Sequence, residues 1–321
     1  MKLFQPEDIA RLRGLALFGF CFALIAFAMF SKAGPQSDIP GIVAKYNDAS
    51  MKFDFTFSQG IRLLLLGVFS GIVGGMMGMG GGVVKVSGLL IIFGQGILLA
   101  RSVSIITNVF IYGSAAYKYI RKNGLLIKDV AELMIPGAIL GVVFGFILGN
   151  LMYVSWLKIL LGLFALFSGL SMLRKIYLSK TSDVYELPKY DPQEYKKESK
   201  LKVAGAGFPM GTVMGLFGIS GGVFGIPYQK YFLRMPIKNA IANTSVTSFI
   251  ASAVAIPLVL WQESTHGQYG ISTPILMALW IIPGNILGSL AGSHLTGILP
   301  SDFIRIFYVL IMIAIGVRLF F

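Results

Sequence analysis

Residues 71–87 read GIVGGMMGMGGGVVKVS, and residues 211–227 read GTVMGLFGISGGVFGIP. At an offset of 140 the second segment superposes Gly215 on Gly75, Gly218 on Gly78, Gly221 on Gly81 and Gly222 on Gly82; beyond it Ala240 falls on Ala100 and Thr247 on Thr107. A second series follows at an offset of 147, where MIPGAILGVVFG and WIIPGNILGSLAG pair Pro136 with Pro283, Gly137 with Gly284, Gly141 with Gly288 and Gly145 with Gly292. Matches that keep their order along the chain mark an internal duplication.

The solvent of this duplicated chain follows from its composition. Hydrophobic residues make up 55% and charged residues only 13% of 321 positions, and the mean hydropathy is +0.77. A water-soluble domain could not hide that much apolar surface. A membrane-crossing helix needs about 20 mostly apolar residues, and Asp129–Asn150, Val154–Leu173, Ser272–Gly292 and Phe303–Phe321 provide such runs, with Gly14–Phe30 slightly shorter. The sequence therefore predicts an all-α polytopic membrane protein whose partner is the lipid bilayer.

The formal charge of +13 does not signal nucleic acid, because Lys and Arg cluster between the apolar runs, where the positive-inside rule puts them. Cys21 is the single cysteine, which excludes an intrachain disulfide or a cysteine metal cluster. The first apolar run follows Arg11 and Arg13 and reads as an uncleaved anchor, with a cleavable signal peptide as the alternative.

Residues 174–202 carry eight basic and five acidic residues and two prolines, a solvated linker between the copies. The expected organisation is an N-terminal transmembrane helix and external loop (1–59), repeat one (60–173), a cytoplasmic linker (174–202) and repeat two (203–321). The basic N-terminus, the Lys118–Lys128 connection and the linker belong on the cytoplasmic side, whereas Gly149–Ser155 and Gln262–Thr273 contain no Lys or Arg. Repeat one then starts outside and repeat two inside, so the copies are inverted. Arg101 and Arg318 both come out near the external face, against that rule. Inverted repeats are a sign of secondary transporters with a site where the repeats meet near the bilayer midplane.

Each copy opens with an apolar stretch interrupted by glycines, Gly78 to Gly82 or Gly218 to Gly222. Such a cluster breaks a helix, and the expectation is two half-helices meeting at a bend inside the membrane, buried in protein or lining a wet cavity. A half-helix that begins there aims N–H groups and the positive end of its dipole into the site, which suits an anion. The spaced glycines Gly137, Gly141 and Gly145, with Gly284, Gly288 and Gly292, read instead as close helix packing. Neither cluster has the spacing of a P-loop or the strand of a dinucleotide fingerprint.

The candidate substrate-binding residues follow from this chemistry: Gly80, Gly81 and Gly82 in the first bend, and Ser220, Gly221 and Gly222 in the second. Lys85 supplies charge at a depth where an ionisable residue is costly, with a snorkelling lysine as the alternative. Thr107 and Asn108 in repeat one, and Gln229, Asn243, Thr244 and Thr247 in repeat two, offer uncharged donors to an oxyanion. The alternative for each of these is hydrogen bonding within the helix bundle. Bulk at Gly81 or Gly221 is expected to block the approach of substrate. Arg101 reads either as an anion attractor at an outer mouth or as an interfacial anchor. His266 and His294 fall in or near connections and form no metal or catalytic constellation.

The stretch from Gly218 to Pro227, followed by Ala240-Ile241-Ala242-Asn243-Thr244-Ser245, and Gly78 to Gly82 with Ala100-Arg101-Ser102-Val103-Ser104, resemble the sulfite exporter TauE/SafE family of membrane permeases. The resemblance covers roughly Gly60 to Phe321. It departs from the family pattern at Ser87, where a proline is expected, and at Lys85 and Gln229, where apolar residues are usual. The resemblance implies ATP-independent export, or sometimes uptake, of sulfite, sulfonates or related small organic anions in a multi-pass plasma-membrane protein. The remaining function classes are an anion channel and, more weakly, an intramembrane enzyme, for which no GxSxG, HExxH or paired-carboxylate arrangement occurs in an apolar segment. No catalytic residue, metal or cofactor is expected; a coupling ion, proton or sodium, and a homo-oligomer are left open.

Overall fold

The computed structural model describes residues 56–77, 80–122, 125–179, 200–233, 235–265, 270–298 and 301–320. The expected N-terminal helix, Gly78, most of the linker and His266 lie outside the described residues, as does the side chain of His294.

Among the described residues all regular structure is helical. Repeat one comprises α1 (Phe57–Met77), α2 (Gly82–Ile91), α3 (Ile97–Lys122), α4 (Lys128–Leu151) and α5 (Val154–Ser179). Repeat two comprises α6 (Lys200–Phe217), α7 (Gly222–Tyr231), α8 (Ile237–Thr265), α9 (Ser272–Ile298) and α10 (Ser301–Phe320). Five of these helices contain a stretch long and apolar enough to cross a membrane, in α1, α3, α4, α8 and α9. Leu140, Phe144 and Ile147 of α4 and Leu163, Phe167 and Leu170 of α5 are exposed, an outer surface for lipid chains. The chain is a multi-pass membrane protein.

The glycine breaks do end helices, but asymmetrically. Only the second arm of each hairpin is a half-helix, α2 and α7 having 10 residues each, whereas the first arms have 21 and 18. This corrects the expectation of paired half-helices. The apolar run before the first glycine cluster is already long enough to cross a membrane, so the break falls after it; the run before the second is shorter.

The spaced glycines hold the repeats together. A Cβ on Gly137, Gly141 or Gly145 of α4 would lie 2.4, 2.1 and 2.1 Å from the carbonyl oxygens of Ala204, Phe208 and Thr212 on α6. Gly207, Gly211 and Gly215 of α6 press as closely on Met134, Ala138 and Val142 of α4. Between α1 and α9 the same reciprocal pattern places Gly284, Gly288 and Gly292 on Leu64, Val68 and Ile72, and Gly67, Gly71 and Gly75 on Ile281, Asn285 and Ser289. Without a hydrophobic drive between helices in lipid, such backbone contact is what makes them associate. Pro136 and Pro283, inside α4 and α9, directly precede the seam glycines Gly137 and Gly284 and are themselves exposed.

Direction can be read from the same contacts. Residue numbers rise together across α4 and α6 and across α1 and α9, so each of these pairs is parallel. They oppose one another across α3 and α8, where Arg101 reaches Gln262 and Gly113 lies against Phe249. The same holds for α5 and α10, where Gly169 meets Met312 and Gly316 meets Leu166. Since α3 and α8, and α5 and α10, are counterparts in the duplication, corresponding helices run in opposite directions. Below, the end of the bundle where α5 finishes and α6 begins is the linker face; the end holding the α4–α5 turn is the far face.

Candidate functional site

The two bends meet beside the middle of α3. A Cβ on Gly82 would lie 2.7 Å from the backbone nitrogen of Ser220 and 2.9 Å from Cα of Ile219. The second bend runs along a polar stripe of α3, with Ser104, Asn108 and Tyr112 four residues apart and so on one helix face. Ser104 Oγ and Asn108 Nδ2 donate to the Gly218 carbonyl at 2.7 and 3.1 Å, and the Tyr112 hydroxyl donates to Ser220 Oγ. Ser220 Oγ in turn accepts from the Gly222 amide at 3.1 Å, capping α7. Glycine is required at three positions of the bends: Gly80 and Gly81, with φ of 71° and 63°, and Gly218, with φ of 72°.

Lys85 stands one turn into α2. Its side chain is fully buried, and Nζ donates to Thr107 Oγ1 and Asn108 Oδ1, both at 2.7 Å. It does not snorkel. Neither of these acceptors is charged. Removing an ammonium from water costs on the order of several kcal/mol, which two neutral oxygens offset only in part. When Lys85 is protonated the cluster therefore has positive charge that these two acceptors do not balance, to which the N-terminus of α2 adds its dipole.

The corresponding part of repeat two is built differently. Gly225 occupies the position of Lys85, and Gln229 reaches the same neighbourhood from one turn further along α7. Its Nε2 donates to Gly225 O, Ala240 O and Thr244 Oγ1, and its Oε1 accepts from Asn243 Nδ2. Asn243 Oδ1 accepts from the Ile127 amide, and Thr247 Oγ1 donates to Asn243 O. Gln229, Asn243, Thr244 and Thr247 are thus gathered in one place, but the donors of Gln229, Asn243 and Thr247 are engaged with the protein itself. They brace α7 against α8 and the start of α4.

A cavity of about 150 Å³ lies between α1, α3, α8 and α9 in the linker-face half. Gly71, Gly75, Ser114, Ser245 and Ser289 line it, and it ends at Gly80 and Tyr112. The tyrosine whose hydroxyl holds the second bend is thus also the inner wall of the cavity.

The harm expected from bulk at the glycines has a different cause from the one expected. A Cβ on Gly81 would lie 2.0 Å from the Ser70 carbonyl oxygen, and one on Gly221 would lie 2.3 Å from Met210 Cγ. Both positions pack against protein rather than face open space. Arg101 is neither an outer-mouth attractor nor an interfacial anchor in this structure: it is fully buried among both repeats. Ser104, Tyr112 and the residues around Arg101 were not singled out from the sequence, although the four-residue spacing of Ser104, Asn108 and Tyr112 was a readable signal. Among the described residues no group of three or more His, Cys, Asp or Glu side chains is placed to hold a metal.

Comparison with known proteins agrees with this architecture. The family model described as sulfite exporter TauE/SafE matches residues 63–319. The chain is 34% identical over 281 residues to the probable membrane transporter protein MamO of Paramagnetospirillum magneticum, covering 81% of this chain and 44% of that protein. It is 33% identical over 309 residues to the protein of the same name from Magnetospirillum gryphiswaldense, covering 89% of this chain and 49% of the relative. The probable membrane transporter protein YunE of Bacillus subtilis is 24% identical over 276 residues, covering 81% of this chain and 96% of its own length. The chain spans about half the length of the two MamO proteins and nearly all of YunE. No solved structure matches it.

Proposed function

The chain belongs to the sulfite exporter TauE/SafE family, a family of membrane transporters and not of enzymes, and from that premise we propose that it is a secondary transporter of small anions such as sulfite, sulfonates or related organic anions. The site is the meeting point of the two glycine bends, and access alternates between the two faces of the membrane around it. The bacterial relatives support a plasma-membrane location.

The observation that carries this reading is Lys85. Among the described residues the buried Lys85 nitrogen is held by a threonine and an asparagine oxygen, neither of them a counter-charge, and an anionic substrate would supply one. A small oxyanion entering from the cavity past Tyr112 exchanges its hydration for the Lys85 ammonium, the amide ends of α2 and hydroxyl and amide groups of α3. The site needs no resident cofactor for this. Thr107 and Asn108 orient the ammonium in the empty site and return to it once the anion has left. That reversible exchange lets binding be strong enough to select and weak enough to release.

Counterflow in proteoliposomes tests the proposal. Vesicles loaded with unlabelled sulfite or a simple sulfonate should accumulate the labelled anion transiently, and imposed proton or sodium gradients identify a coupling ion. Electrodiffusive flux without counterflow would make the protein a channel, and no flux of any member of an anion panel would remove the substrate class.

A further inference from the structure

The cavity approaches the bends from the linker face; toward the far face Arg101 and Ser102 of α3 and Gln262 and Glu263 of α8 are buried, and one side chain organises them. Arg101, at the start of α3, is fully buried beneath the α4–α5 turn. Its Nη2 donates to Asn150 Oδ1 at the end of α4, at 2.5 Å, and to Gln262 Oε1 near the end of α8. Its Nη1 points to the Gly215 carbonyl at 3.4 Å, and its guanidinium lies 4.8 Å above the Phe146 ring. The next residue, Ser102, donates to Glu263 Oε1 at 2.8 Å, and that carboxylate also lies in the field of Arg101. Gly218, the first described residue of the second bend, packs so closely on Arg101 that a Cβ there would be 2.7 Å from its carbonyl oxygen.

We propose that Arg101 is the lock that closes the far face of the transport path, joining α3 of repeat one to α8 and the second bend of repeat two. The proposal rests on the alternating-access reading above. The chemistry suits a lock that must open. The guanidinium is forked and planar, so it holds several acceptors at once. Its acceptors include neutral amide oxygens and a backbone carbonyl, each of which binds it less tightly than a bidentate carboxylate would. Two of the contacts between the repeats, Arg101 with Gln262 and Ser102 with Glu263, span the antiparallel α3–α8 interface. A shift of α3, which packs on α9, against α8, which packs on α4, would break them together while leaving the α4–α6 and α1–α9 glycine seams intact. On the linker face the corresponding position of repeat two is Ile241, which lines the open cavity and carries no charge. The lock is present where the path is closed and absent where it is open.

The test uses sided thiol labelling of the full chain in vesicles, in a Cys21→Ala background, and needs no substrate. A Ser104→Cys probe lies one turn beyond Arg101, fully buried; a Ser114→Cys probe lines the cavity. With Arg101 intact, an impermeant reagent should reach Ser114→Cys from the linker face and leave Ser104→Cys unlabelled from the far face. Arg101→Gln should raise far-face labelling of Ser104→Cys by about tenfold, the shift that about 1.4 kcal/mol of lost preference produces, and should lower linker-face labelling of Ser114→Cys. Gln262→Ala, which removes one acceptor and leaves no new charge, should move both probes the same way by a smaller factor. Far-face labelling unchanged in both variants would overturn the lock. A rise at both probes together would also overturn it, since that marks a loosened bundle and not an exchange of open faces. A wrong substrate class would fail in counterflow and leave these labelling patterns intact.

Discussion

The two halves of the molecule share a scaffold and differ at its centre. In the scaffold the symmetry is close: Gly137, Gly141 and Gly145 on α4 meet α6 as Gly284, Gly288 and Gly292 on α9 meet α1, all with added-Cβ contacts of 2.1 to 2.4 Å to a carbonyl oxygen. At the bends it is not. Gly81 has φ +63° and is followed by Lys85, whereas Gly221 has φ −63° and is followed by Gly225. Repeat one presents a buried charge; repeat two presents a glutamine and an asparagine that are bound to each other. A duplicated fold supplies the symmetric frame needed for motion, and the substrate chemistry is concentrated in one copy.

The largest effects should come from the frame, and they should be equal in the two halves. Gly141→Leu and Gly288→Leu each force a side chain into a seam whose carbonyl lies 2.1 Å from the new Cβ. Each should cost about 3 kcal/mol or more, the upper range for overpacking, read as loss of monodisperse protein in detergent. A collapse confined to one of the pair would break the symmetry argued here.

At the bends the pair should separate. Gly81→Ala must take a left-handed backbone and displace the Ser70 carbonyl, while Gly221→Ala has an ordinary backbone and meets the movable Met210 side chain. The first should lose roughly 1–2 kcal/mol more in thermal melts, the left-handed penalty of a residue with a Cβ. Equal melting points would mean that the two bends are interchangeable.

The amide cluster and the lysine should separate by readout. Lys85→Met should reduce counterflow about tenfold to a hundredfold, the range expected from losing a charged hydrogen bond of about 1.5–3 kcal/mol. Lys85→Arg should not restore it, since a fork does not replace a compact ammonium between Thr107 and Asn108. Gln229→Met should act mainly on stability, by about 1 kcal/mol per lost neutral hydrogen bond, with transport retained. Tyr112→Phe, the smallest change, loses one hydroxyl bond to Ser220 and should shift apparent affinity by less than Lys85→Met does.

Much of this fold was legible in the sequence because it rests on glycine. The four-residue spacing of Gly137, Gly141 and Gly145 encodes a seam, and the contiguous Gly80, Gly81 and Gly82 encode a break; both were read from spacing alone. Lys85 was legible because charge in an apolar run is expensive. Whether Gln229 and Asn243 would face a substrate or each other was not legible, because an amide has donors and acceptors for either partner and only the fold brings these two within reach. The burial of Arg101 between the repeats was not legible for a related reason. Its neighbours Asn150, Gly215 and Gln262 come from three separate helices and have no periodic relation to it in the chain.

The most direct test of a charge-bearing bend in repeat one is equilibrium binding of the counterflowed anion to purified protein, compared among the unaltered chain, Lys85→Met and Gln229→Met. The account predicts that Lys85→Met melts as a folded protein yet binds at least about tenfold more weakly, equivalent to about 1.4 kcal/mol, while Gln229→Met keeps its affinity. Undiminished binding by folded Lys85→Met would contradict it, and the anion would then be held by the helix ends of the two bends without the lysine.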